Sequence, residues 1–303
     1  MSSGLVLIDK PSGWTSHDVV ARLRKLAGTR RVGHAGTLDP MATGLLLIGV
    51  NSATKLLTFL VGENKTYEAT IRLGANTITD DKESEFIDVA SAAAVSAVTP
   101  EKIEQALAAL RGPISQRPSS VSAIKVDGQR AYDRVRSGED VKLVERPVTI
   151  HAFEISGSPT LVTEGENTFL DFEAIIDCSS GTYIRALARD LGEALKVGGH
   201  LTSLRRTKIG SYEVSSAQSL DGLTPETLAV LDISEAARQQ FAKRTLSAQE
   251  EIDLRHGKRI TQVGDTDQEP VAALSESGAL IAMVVNAGES VKSLVVFAEE
   301  SND

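Results

Sequence analysis

Residues 65–73 alternate without a break. Tyr67, Ala69, Ile71 and Leu73 fall on one side, and Thr66, Glu68, Thr70 and Arg72 on the other. Successive side chains of an extended strand point to opposite faces, so the pattern predicts a half-buried strand over 65–73. Such a strand must join a sheet whose apolar face is covered by a second layer. Residues 170–178 alternate again. Directly after Gly181-Thr182-Tyr183 the period changes, and Ile184, Leu187, Ala188, Leu191 and Leu195 make a helical stripe. Ser16 reads as the N-cap of another helix with Val19, Val20, Leu23 and Leu26 on one face, and Thr99-Pro100 starts a third. Gly4–Asp9 and Leu45–Val50 read as strands, Gly33–Gly44 and Asn76–Asp88 as loops, and about 224–244 as two helical stretches. The class is α+β (mixed α/β).

The length of 303 residues predicts two domains. From Leu246 the texture changes to short apolar strands at 271–274, 280–285 and 294–298, separated by Gly, Ser and Asp. That predicts domains over 1–245 and 246–303, the second a small β domain. The longest apolar runs, Leu5–Ile8 and Leu45–Ile48, are too short to span a bilayer, and no signal-peptide pattern opens the chain. A cytoplasmic protein without membrane contact is expected. Cys178 has no partner cysteine, and His17, His34, His151, His200 and His256 show no metal-ligand spacing, so no metal is expected.

The net charge of -9 argues at first against a nucleic-acid partner. The distribution argues the other way. Lys10, Arg22, Arg24, Lys25, Arg30 and Arg31 face only Asp18 across 10–36. Arg117, Lys125, Arg130, Arg134 and Arg136 cluster over 117–136, and Arg185, Arg189, Lys196, Arg205, Arg206 and Lys208 over 181–212. Phosphate binding needs a local basic surface, not a basic total.

The densest constellation is Gly33-His34-Ala35-Gly36-Thr37-Leu38-Asp39-Pro40-Met41-Ala42-Thr43-Gly44. Its glycines let backbone approach a ligand. On local sequence alone, Asp39-Pro40 reads as a helix N-cap and first-turn pair. Tyr67 reads as a core residue of its strand, and Arg185 falls off the buried stripe and reads as solvated.

Six motifs, in order, resemble the TruB family of tRNA pseudouridine-55 synthases. They are Lys10-Pro11-Ser12-Gly13-Trp14-Thr15-Ser16, the Gly33–Gly44 segment, Lys65-Thr66-Tyr67, Gln116-Arg117-Pro118 with Ser122-Ala123-Ile124-Lys125, Gly181-Thr182-Tyr183-Ile184-Arg185, and Leu204-Arg205-Arg206. Many members carry a second proline where this chain has Ser119. The resemblance implies a pseudouridine-synthase catalytic domain around a mixed, mostly antiparallel sheet, with a thumb-like insertion at about 117–146. Leu246–Ile260 resembles the start of a PUA-like RNA-binding domain.

The resemblance also implies roles. Asp39 falls on the catalytic aspartate, Tyr67 on the tyrosine that stacks on the target base, and Arg185 on the arginine that pairs with the aspartate. His34 falls on the histidine that fills the space of the flipped nucleotide. Tyr183 and Leu204 line the pocket, and Lys10, Arg206, Arg130 and Arg134 fall among the RNA-binding set. The implied reaction breaks the N1–C1′ bond of a uridine in the T arm of tRNA, turns the base and joins C5 to C1′. It changes no oxidation state and loses no group, so no cofactor is expected. Stand-alone members suggest a monomer with no obligatory protein partner. A glycoside hydrolase would need two carboxylates flanking the bond, and the motifs supply one.

Overall fold

The computed structural model describes residues 2–119, 144–261 and 269–297, with the backbone of two short strands at Lys125–Val126 and Gln129–Arg130. Two compact units emerge, one combining 1–63 with 209–303, the other spanning 64–208.

In the first unit, β1 (Gly4–Lys10) and β3 (Thr43–Val50) run antiparallel from Gly4 opposite Val50 to Lys10 opposite Gly44. β2 (Val32–Ala35) adds to β3 with His34 opposite Ile48. These strands are apolar throughout because both faces are covered. Val6, Ile8, Leu46 and Ile48 pack against Val19, Val20 and Leu23 of α1 (Ser16–Ala27). Leu5, Leu7, Leu45 and Leu47 share a second core with Leu56, Leu60, Ala272, Leu274, Met283 and Phe297. Each fully buried aliphatic side chain of this kind contributes roughly 1.5–3 kcal/mol. Five strands, from Ala242–Thr245 to Ser290–Val296, form a sheet that closes over one face of the N-terminal strands.

Several local expectations change. Thr15, not Ser16, caps α1: its hydroxyl accepts from the Asp18 amide at 3.1 Å, and the Asp18 carboxylate accepts from the Thr15 amide at 2.9 Å. The Ser16 hydroxyl is committed elsewhere, to Leu38. The Gly33–Gly44 segment begins and ends as strand, and 224–244 holds one helix, Ile233–Gln240, entered by strand Leu231–Asp232.

The second unit is built on β4 (Lys65–Leu73), β5 (Gly112–Gln116), β6 (Arg146–Glu164), β7 (Asn167–Cys178) and β8 (Gly199–Ile209), in the order β8-β4-β7-β6-β5. The β4–β7, β6–β7 and β5–β6 pairs are antiparallel. Helices α2 (Pro100–Leu110) and α3 (Ile184–Leu195) supply the covering layer, α2 capped by the Thr99 hydroxyl. The polar stretch 76–88 is not all loop, since Ala75–Thr77 pairs with Phe86–Val89.

The polar side of β4 is less exposed than its alternation implied. Arg72 stands opposite Asp171 of β7 and takes its carboxylate with two bonds of 2.8 Å, while Glu164 takes a third at 2.6 Å. The guanidinium lies 4.8 Å from the Phe169 ring centroid. The bonds to Asp171 raise the Arg72 pKa against the opposing cost of burial. Replacing Arg72 by Leu leaves two carboxylates facing each other, and should cost about 3 kcal/mol in denaturant unfolding. A loss within the roughly 0.5 kcal/mol typical of a surface change would contradict this account of the sheet.

Candidate active site

In the first unit the loop joining β2 to β3 carries Asp39. The Ala42 amide donates to the Asp39 carbonyl at 3.1 Å, so residues 39–42 form a tight turn between two strands. Asp39 therefore caps no helix. Gly36 takes φ 81°, a left-handed conformation that lets the chain leave β2 and enter this turn.

The backbone on both sides of Asp39 is bonded by one segment, residues 10–16. The Ser16 hydroxyl accepts from the Leu38 amide at 2.9 Å and donates to the Leu38 carbonyl at 3.2 Å. The Gly13 amide donates to the Pro40 carbonyl at 2.8 Å, and the Ser12 hydroxyl to the Met41 carbonyl at 3.2 Å. Lys10 is fully buried, and its ammonium donates to the carbonyls of Trp14 at 2.6 Å, Pro11 at 3.0 Å and Pro40 at 3.2 Å. Its charge is spent on holding the loop rather than presented to solvent, unlike the RNA contact expected of it. Leu38, Met41 and Ala42 are buried while Asp39 is half-buried, so apolar neighbours anchor the turn and leave the carboxylate at its rim. His34 lies on β2, half-buried, with its ring 5.7 Å from that of His17 in edge-on geometry. The structure thus gathers Lys10, His34 and Asp39 around one hairpin loop. Arg22, Arg24, Lys25, Arg30 and Arg31 are exposed on and just beyond α1.

In the second unit Tyr67 is buried on β4, opposite Ile176. The hydroxyls of Thr202 and Thr207 on β8 donate to the carbonyls of Thr70 and Thr66. Arg206 and Leu204 are both buried. The Gln116 side chain donates to the Tyr183 carbonyl at 3.0 Å and accepts from the Tyr183 amide at 2.8 Å, which fixes the entry to α3.

Arg185 departs most from its local reading. It is not solvated but 5% exposed. Its guanidinium donates to the Thr79 carbonyl at 2.7 Å and to the Ser119 hydroxyl at 3.4 Å, and lies 3.5 Å from the Asp81 carboxylate. Asp81 is itself held by the Thr79 hydroxyl and the Glu83 amide. Sequence reasoning missed Asp81. It sits in a polar stretch indistinguishable from a loop, and only its position shortly after the strand carrying Tyr67 hinted at more. Of Arg130 only the backbone is described, and Arg134 lies outside the described residues. Among the described residues no group of three or more His, Cys, Asp or Glu side chains is arranged to hold a metal, and no helix is long and apolar enough to cross a membrane.

Residues 24–184 match the N-terminal domain of the TruB family of pseudouridylate synthases. Residues 185–239 match the tRNA pseudouridylate synthase B C-terminal domain, and 241–298 the C-terminal domain of tRNA pseudouridine synthase II. The chain is 55% identical to tRNA pseudouridine synthase B of Arthrobacter sp. (strain FB24), over 98% of this chain and 97% of the relative. It is 54% identical to the protein of that name from Paenarthrobacter aurescens (strain TC1), over 98% and 96%. Among solved structures, "Crystal Structure of a Cbf5-Nop10-Gar1 Complex" shares the fold with a TM-score of 0.70 at 24% identity, covering 97% of this chain and 85% of that one. With its motifs, its fold and these matches in agreement, the chain belongs to the TruB family of pseudouridylate synthases.

Proposed function

We propose that this protein isomerises uridine to pseudouridine at position 55 in the T loop of tRNA, with Asp39 as the nucleophile. The observation that carries the reading is the Asp39 turn. Its flanking backbone is bonded at Leu38, Pro40 and Met41 by the 10–16 segment, so the carboxylate is delivered from a fixed frame. The near-full-length identity to proteins named tRNA pseudouridine synthase B supports the substrate.

A carboxylate suits the chemistry because it can attack, form an adduct and leave again. It must be ionised to attack, and the guanidinium of Arg185 is the group assigned to hold it so. The target base must first leave the RNA stack, at a cost of a few kcal/mol. Stacking on Tyr67 returns roughly 1–3 kcal/mol. His34 fills the vacated space and slows return of the base, while Tyr183 and Leu204 line the pocket. Bond breaking and bond making occur within one nucleoside, so the reaction needs no cofactor. The exposed cations of α1 and the insertion at 117–146, with Arg130 and Arg134, grip the phosphates of the T arm. Arg206, buried on β8, belongs to the substrate- and RNA-binding set. Residues 246–303 serve as a PUA-like domain, and the protein acts as a cytoplasmic monomer.

Tritium release from C5-labelled uridine in a tRNA transcript tests the reading. The protein should release tritium, Asp39→Asn should release none, and a transcript lacking the T-loop uridine should give no release. Tight tRNA binding without release would overturn it. Replacing Arg130 and Arg134 together by Ala should flatten the slope of log affinity against log salt by about 1.5. An unchanged slope would remove the insertion from the RNA interface.

A further inference from the structure

Arg185 and Arg189 lie one turn apart on α3 and therefore share a face of the helix. Each reaches the same two segments of the chain. Arg185 donates to Thr79 and to Ser119 and lies beside Asp81. Arg189 donates to the Asp80 carboxylate at 3.2 Å and to the Arg117 carbonyl at 2.8 Å. The two guanidinium groups form the rungs of a short ladder, with residues 79–81 as one rail and 117–119 as the other. Arg189 also takes the neighbouring Asp190 carboxylate at 2.7 and 2.9 Å. The side chains of Arg189 and Asp80 are 12% and 10% exposed, so this pair is shielded from solvent.

Two observations indicate that the outer rung constrains rather than decorates. Asp80 holds φ at 59°, a left-handed conformation uncommon outside glycine, asparagine and aspartate. Ser119 is fully buried and its hydroxyl donates to the Thr79 carbonyl at 3.3 Å, which joins the two rails directly. Burial pushes the Asp80 carboxyl above its ordinary range, and the Arg189 guanidinium offsets only part of that rise.

We infer that Arg189 is a positioning residue for the isomerisation: by tying Asp80 to the Arg117 carbonyl it holds residues 79–81 and 117–119 in the arrangement that orients Arg185. The inference rests on the catalytic reading of Arg185 given above. It departs from the charge-based expectation, in which Arg189 belonged to a phosphate-gripping cluster. A guanidinium can span two segments with separate nitrogens, whereas an ammonium reaches them only as a point charge.

The test compares the native chain with Arg189→Met, Arg189→Lys and Asp80→Asn, each as the full-length protein. Three quantities are read: the single-turnover rate at saturating protein, the tRNA dissociation constant, and amide hydrogen exchange in 79–81 and 117–119. Arg189→Met should lower the saturating rate about 10- to 100-fold, the scale of a misplaced catalytic group. Its tRNA affinity should stay within about threefold, its exchange in both segments should rise, and Arg189→Lys should recover part of the rate. A saturating rate reduced less than about fivefold would overturn the inference. So would a loss confined to affinity, which would return Arg189 to the phosphate-binding set. Should Arg189→Met fail to fold, Asp80→Asn, which keeps the volume and removes the ion pair, decides by the same fivefold criterion. If the native chain itself turns over no tRNA, the functional reading fails. The exchange data still judge the ladder on their own, and unchanged exchange in both segments overturns it.

Discussion

On the proposed reading Asp39 is the nucleophile, and a carboxylate on a loop serves that role poorly while its backbone wanders, because each turnover must then re-order it. Here the ordering is done in advance by hydrogen bonds to the peptide groups around Asp39. The Ser16 hydroxyl serves both the amide and the carbonyl of Leu38. Gly13 and Lys10 converge on the Pro40 carbonyl. A buried ammonium with several carbonyl acceptors exchanges water for fixed dipoles and so tolerates its burial. Gly13 itself sits at φ 83°, a conformation that lets its amide turn toward the loop without a Cβ penalty. The same strands that supply Lys10 and receive the turn, β1 and β3, are buried on both faces. The clamp is therefore anchored on strands packed on both faces.

The second unit solves a related problem with arginines. Arg72, Arg185 and Arg189 are each mostly buried, and each ends on a carboxylate with further acceptors nearby. Burying such a cation costs several kcal/mol unless its donors are satisfied. Satisfying them pins together segments far apart in sequence: β4 with β7 through Arg72, and residues 79–81 with 117–119 through the α3 pair. The glutamine of the Gln116 motif does for the entry of α3 what Ser16 does for Leu38, bonding both polar groups of one residue.

Much of this was legible in the sequence, and the failures have physical causes. The strand over 65–73 was readable to the residue because its period is strict and one face is covered. The motif residues were readable as an ordered set, which is how the family emerged. Single-residue readings fared worse. Arg185 lies off its helix's apolar stripe, and periodicity cannot show that a polar partner such as Asp81 waits inside. Ser16 and Thr15 are equally good caps on paper, and the choice between them was made by Leu38, remote in sequence. Asp39-Pro40 carries a helix-start signal, but Gly36 and the pairing of β2 with β3 impose a turn instead. Lys10 reads as a basic surface residue and is an internal strut, since only the fold brings three carbonyls to it.

The central claim is that the frame around Asp39 is set by side chains that never touch the reacting atoms, and Ser16→Ala tests it most directly. The variant removes one oxygen and leaves the Asp39 carboxylate and the rest of the 10–16 segment in place. The measurement is the single-turnover rate at saturating protein beside the exchange rate of the Leu38 amide. The account predicts faster exchange at Leu38, a rate reduced by about tenfold or more, and tRNA affinity unchanged. An unaltered rate with a freely exchanging Leu38 amide would contradict it, because the loop would then find its working geometry without the clamp.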